Sequence, residues 1–135
     1  MFDRLNDLKG YSPNAVKRVD GALEFIGQIN RVLIKQNIQL TVVIVPSVRR
    51  IYPEKLPSSF KTTEELQGLY THVLDKLRTD GVFAPDLQTA LTNAKAKAGN
   101  DFPLYMRQDN HWSTVGAFEA AKASAVPSAQ NGPRA

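Results

Sequence analysis

Asp109 and His111 stand two positions apart, in a stretch that reads Leu104-Tyr105-Met106-Arg107-Gln108-Asp109-Asn110-His111-Trp112. A carboxylate that accepts a hydrogen bond from one imidazole nitrogen fixes the ring's tautomer and leaves the other nitrogen free to act as a general base. Imidazole changes charge near neutral pH, so such a pair can take a proton and give it back. Residues two apart on an extended backbone project to the same side, which would bring carboxylate and ring together. The pattern is short, however. Taken by spacing alone it favours a plainer role, in which either residue caps the helix that follows.

Other chemistries find less support. The only other histidine, His72, falls on a predicted helix between Leu69 and Val73 and is expected to face solvent, and two histidines so placed do not make a zinc site. No metal and no cofactor is expected. The chain has no cysteine, which excludes disulfides, thiolate metal centres and a thiol nucleophile. Trp112 and Tyr105 are candidates for stacking against a sugar, although an aromatic side chain beside a strand end is more often part of a core.

The elements that would position the pair follow from the hydrophobic pattern. Ser12-Pro13 opens a helix whose apolar face runs through Val16, Val19, Leu23, Ile26, Ile29 and Leu33, with Gly21 and Gly27 weakening it. Residues 38–45 turn β-branched and apolar, as expected of a parallel strand covered on both faces, and Pro46 stops it. Residues 47–61, with two prolines, predict a long ordered loop. Thr62 and Glu65 form a capping-box pattern ahead of a helix through Leu66, Leu69, Tyr70, Val73, Leu74 and Leu77 that ends at Asp80-Gly81. Val82-Phe83-Ala84 predicts a short strand. Asp86 caps a helix with Leu87, Leu91 and Ala94 on its inner face, which Gly99-Asn100 ends. Residues 103–107 predict another short strand leading into the Asp109 segment, and Ser113 or Thr114 caps a last helix through Ala117, Phe118, Ala121 and Ala123. Helices alternating with apolar strands predict an α/β sheet with crossover helices. In such sheets sites form beyond the carboxyl ends of the strands, where Asp109 and His111 would lie.

Composition sets the outer limits. With 135 residues, 42% of them hydrophobic and 22% charged, the chain can bury the core of one domain, expected over 1–124 with a disordered tail at 125–135. The 17 basic residues are interspersed with 13 acidic ones, leaving a net charge of +4 and no basic stripe, so nucleic acid is not an expected partner. Neither an export signal nor a membrane anchor is expected, because no apolar region follows the N-terminus and the longest strongly apolar run, 40–45, is too short to span a bilayer.

Asp109-Asn110-His111-Trp112-Ser113, preceded by Leu104-Tyr105-Met106-Arg107 and followed by Gly116-Ala117, resembles the Asp-x-His-Trp segment of the AlgX/AlgJ-type alginate (polysaccharide) O-acetyltransferases. Val43-Ile44-Val45-Pro46 and Ile51-Tyr52-Pro53-Glu54-Lys55-Leu56-Pro57 are similar to the first core strand and loop of that family. The resemblance spans roughly residues 14–124. It implies a three-layer α/β/α fold of the SGNH-hydrolase type with a mainly parallel sheet, incomplete in this chain. It implies that His111 is the base that activates a serine and that Asp109 orients it. The family's serine lies in a Gly-Asp-Ser-type motif after the Asp-x-His block, and these 135 residues contain none, so the domain reads as truncated and inactive alone. Ser47 and Ser113 are the nearest substitutes by position, but one follows a strand-ending proline and the other looks like a helix cap. Polysaccharide substrate, a membrane-bound O-acyltransferase partner without membrane insertion of this chain, and a periplasmic location are further implications of the resemblance. The alternatives are an SGNH-type carbohydrate esterase, which would hand the acyl group to water, and a catalytically silent domain that binds carbohydrate or protein.

Overall fold

The computed structural model of the chain describes residues 13–59, 64–98, 103–106, 109 and 111–125. Five α-helices lie among them: α1 (Pro13–Ile34), α2 (Val48–Ile51), α3 (Glu64–Thr79), α4 (Leu87–Ala98) and α5 (Thr114–Ser124), with a single 3-10 turn at Pro53–Lys55. Contacts divide the chain into two compact units. The first combines the residues up to Ile44 with Tyr52–Pro85, and the second combines Val45–Ile51 with the residues from Asp86 onward.

The first unit is built by two helices that end in the same way. At the end of α1, Asn37 adopts a positive φ of 56°, Asn37 N donates to Ile34 O and Ile38 N to Leu33 O. At the end of α3, Gly81 adopts φ 75°, Gly81 N donates to Arg78 O and Val82 N to Leu77 O. Both are Schellman closures, in which a left-handed residue turns the chain back and satisfies the last carbonyls. They release the segments 38–44 and 82–85 in register for a parallel bridge between Thr41 and Phe83, with Val42 N donating to Phe83 O and Phe83 N to Leu40 O. Leu23 of α1 and Tyr70, Leu74 and Leu77 of α3 bury themselves with Val82 and Ala84, and Leu40, Val42 and Ile44 pack against that cluster. Only alternate residues of the 38–45 segment pack so. Val43 and Val45 remain exposed, so within these residues the segment is covered on one face rather than the two expected from its composition.

Close approach explains one of the two glycines of α1. A Cβ at Gly27 would lie 2.7 Å from an Asp80 carboxylate oxygen, whereas at Gly21 nothing lies within 4 Å. Beside Gly27, the buried amide of Asn30 donates to Asp80 O at 2.9 Å, so this polar residue in the interior of the unit is hydrogen-bonded.

In the second unit α4 packs against α2 and α5. Its interior is formed by Ile51, Leu87, Leu91, Leu104, Tyr105 and Ala120. Asp86 caps α4, accepting from Thr89 N at 3.0 Å and from Thr89 Oγ1 at 2.7 Å. The expected loop 47–61 holds α2 and the 3-10 turn, helical pieces too short to show a period in sequence. The strand expected at 103–107 appears as one antiparallel bridge, Tyr105 to Trp112, within a tight reversal of the chain. Ser12, Thr62, Gly99, Asn100, Arg107 and the tail from 126 lie outside the described residues, so the predicted caps and disorder there are not addressed. No helix among the described residues is long and apolar enough to cross a membrane.

Candidate functional site

The site is carried by the reversal between Leu104 and Ser113. Met106 N donates to His111 O at 3.0 Å and Ser113 N donates to Leu104 O at 2.8 Å, which makes Tyr105 and Trp112 the pair between the two bonds. In such a pair the two side chains share a face while their neighbours take the other. Tyr105 points inward and Met106 and His111 are exposed, while Leu104, which the alternation would place with Met106, is fully buried. The inward face is held by a long-range contact, the Tyr105 hydroxyl donating to Pro46 O ahead of α2.

On the outer face the structure joins the two residues singled out by spacing. His111 Nδ1 lies 2.8 Å from Asp109 Oδ1, with side-chain exposures of 74% and 47%. An ionised carboxylate only accepts hydrogen bonds, so Nδ1 is the protonated nitrogen of the neutral ring and Nε2 carries the lone pair. Nε2 has no hydrogen-bond partner among the described residues. The arrangement can take a proton from a hydroxyl brought to it from solvent, with the developing imidazolium stabilised by the carboxylate.

The remaining candidates fall elsewhere. Tyr105 is 4% exposed and its hydroxyl is committed, so it offers no ring face to a sugar; its placement is that of a brace. Trp112 is half-buried opposite it. Ser113 is the helix cap expected of it: Oγ accepts from Gly116 N at 3.2 Å and donates to Pro103 O at 2.6 Å. That hydroxyl is occupied twice and is not poised as a nucleophile. Ser47 is half-buried at the head of α2, where its carbonyl accepts from Arg50 N. His72 is not an isolated surface histidine, because its Nε2 lies 2.7 Å from Asp20 Oδ1, joining α3 to α1. No group of three or more metal-ligating residues occurs among the described residues. In sequence Gly116 stands out only as part of a motif. The structure shows why the residue must be glycine: a Cβ there would run into the Leu104 carbonyl and stand 3.1 Å from Trp112 Cβ.

A match to the family described as the SGNH hydrolase-like domain of acetyltransferase AlgX covers residues 8–133. The chain belongs to this family. Among relatives of this AlgX-type domain, a probable alginate O-acetylase AlgJ of Pseudomonas syringae pv. tomato is 32% identical over 111 residues, 82% of this chain and 27% of that protein. The alginate biosynthesis protein AlgX of Pseudomonas putida is 34% identical over 101 residues, 70% of this chain and 20% of that protein. The solved O-acetyltransferase domain of Pseudomonas putida AlgJ superposes with a TM-score of 0.74 at 30% identity, covering 87% of this chain and 41% of that one. The SGNH hydrolase-like fold is therefore shared. The chain spans about a quarter of the length of the curated relatives it matches.

Proposed function

We propose that Asp109 and His111 are the orienting acid and the general base of an acyl-transfer site in a polysaccharide O-acetyltransferase. The observation that carries this reading is the 2.8 Å contact between Nδ1 and the carboxylate, on a histidine whose side chain is 74% exposed. In the proposed reaction Nε2 takes the proton of a serine hydroxyl as that oxygen attacks the acetyl carbonyl of the donor. The protonated ring then gives the proton to the leaving group. A sugar hydroxyl, deprotonated by Nε2 in turn, attacks the acyl-serine and frees the serine again. Trp112, half-buried and next to His111 in sequence, is the candidate to stack against the sugar. The activity, an alginate or similar exopolysaccharide as acceptor, a periplasmic site of action and a membrane-bound O-acyltransferase as the source of acetyl groups are parts of this proposal.

The 135 residues hold no Gly-Asp-Ser run, so this stretch supplies the base and its partner without the serine. A base activates little unless the oxyanion is also stabilised, and losing even one donor to it costs roughly 2.7–4 kcal/mol. Residues 1–135 alone are therefore expected to be inactive or nearly so. The same reading takes the extended segments through Leu40 and Phe83 as neighbouring strands of a three-layer α/β/α sheet, which their parallel bridge supports.

The test is p-nitrophenyl acetate cleavage by a form of the protein that includes a Gly-Asp-Ser serine, with and without acceptor oligosaccharide. Turnover that rises with acceptor identifies transfer, turnover indifferent to it identifies an esterase, and His111→Ala should abolish either. An active His111→Ala variant removes the proposal. The rival reading is a silent carbohydrate- or protein-binding domain, which would keep glycan binding after loss of both Asp109 and His111.

A further inference from the structure

His111 and Asp109 are both substantially exposed, and the reversal that carries them is held at its base. That base is closed from below by the first turn of α5. Ser113 Oγ receives the Gly116 N–H, as any N-cap would, but it also donates its proton to Pro103 O on the incoming strand. One hydroxyl thus ties the start of the helix to the strand that precedes the pair. Gly116 completes the closure by having no side chain. A Cβ there would lie 3.0 Å from the Leu104 carbonyl carbon and closer still to its oxygen, and that oxygen is the acceptor for Ser113 N. Backbone on that side cannot give way without moving the bond next to the Tyr105–Trp112 bridge.

We propose that Ser113 and Gly116 are positioning residues for His111. Together they seat α5 on the Leu104 carbonyl and so fix the direction from which Nδ1 meets Asp109. The inference rests on reading Asp109–His111 as a functional pair, and it adds residues that touch no substrate and act only through the ring. Removing the hydroxyl breaks two bonds at once, whereas threonine keeps both donor and acceptor. A side chain at 116 forces the carbonyl and the helix apart. In either case His111 should spend more of its time away from the carboxylate, and the ring should lose its preference for carrying the proton on Nδ1.

The experiment is two-bond 1H–15N correlation NMR of the ring nitrogens in the 135-residue chain, at a pH where His111 is neutral. Wild type and Ser113→Thr should show His111 protonated at Nδ1. Ser113→Ala and Gly116→Ala should each shift the tautomer ratio toward Nε2–H, by less than Asp109→Asn does. Signals of His72 should stay in place and report that the first unit is intact. Asp109→Asn separates the two levels of the claim. If it moves the ratio while Ser113→Ala and Gly116→Ala do not, the positioning role is overturned and the pair stands. An unmoved ratio in Asp109→Asn overturns the pair and the positioning role with it. If Gly116→Ala does not fold, the contrast between Ser113→Ala and Ser113→Thr decides the matter.

Discussion

Two exposed aspartate–histidine contacts of nearly equal length occur among the described residues, 2.8 Å between Asp109 and His111 and 2.7 Å between Asp20 and His72, and they differ in how the chain assembles them. Asp20 and His72 come from two helices and are 52 residues apart in sequence, so their meeting depends on α1 and α3 packing first. Asp109 and His111 sit on one short reversal, and the chain brings them together locally. The first pair uses Nε2 to tie two helices. The second pair uses Nδ1 and leaves Nε2 toward solvent. Distance alone does not distinguish a structural tie from a candidate base; the scaffold does.

The two scaffolds can be broken separately. Leu74 and Leu104 are buried in the first and second units respectively, and truncating either to alanine should cost about 2–5 kcal/mol in denaturant unfolding. Leu74→Ala should disturb the His72 ring signals and Leu104→Ala those of His111; a response shared by both rings would erase the distinction. A smaller effect is expected at the helix contacts. Gly116→Ala presses on backbone and should cost roughly 1–3 kcal/mol, and a neutral or stabilising result would contradict the close approach described for α5. Gly21 has open space around it, so Gly21→Ala in the middle of α1 should stabilise by about 0.5–1 kcal/mol, with the midpoint of urea unfolding as the check. The smallest effect belongs to the exposed tie itself. Asp20→Asn should cost about 0.2–1 kcal/mol, shrinking as salt is added, and a loss that salt does not change would assign the contact a different origin.

The same contrast separates the features that are legible in the amino-acid sequence from those that are not. The local pair is legible because two residues two positions apart need no tertiary information to be placed near each other. The helical stretches are legible for a related reason. Apolar spacing, the cap at Ser113, the cap at Asp86 and the stop at Gly81 all act within one or two turns. The Asp20–His72 contact is hidden because nothing near His72 in sequence says which helix lies across from it. Sequence leaves Tyr105 open between stacking on a sugar and joining a core, and the contact that decides for burial is made to Pro46, 59 residues away. The segment 38–45 reads as a strand covered on both faces because its composition is apolar throughout. Composition does not say how much of the covering is supplied by other parts of a protein, and here Val43 and Val45 face outward. Gly116 carries no local signal, since a glycine in a first helical turn has no conformational need; its reason is the Leu104 carbonyl beneath it.

The claim on which the functional reading turns is that the carboxylate of Asp109 keeps the proton on Nδ1 and so leaves Nε2 able to accept one. Asparagine at 109 preserves shape while offering the ring an amide that can hold it in the opposite tautomer. The direct measurement is the rate of acetyl transfer by Asp109→Asn in a form of the protein that carries a Gly-Asp-Ser serine. A fall of about 10²–10⁴-fold is expected, the range over which positioned acid–base catalysis acts. A variant that transfers acetyl groups as fast as the unaltered protein would show that the contact between Asp109 and His111 has no part in the chemistry.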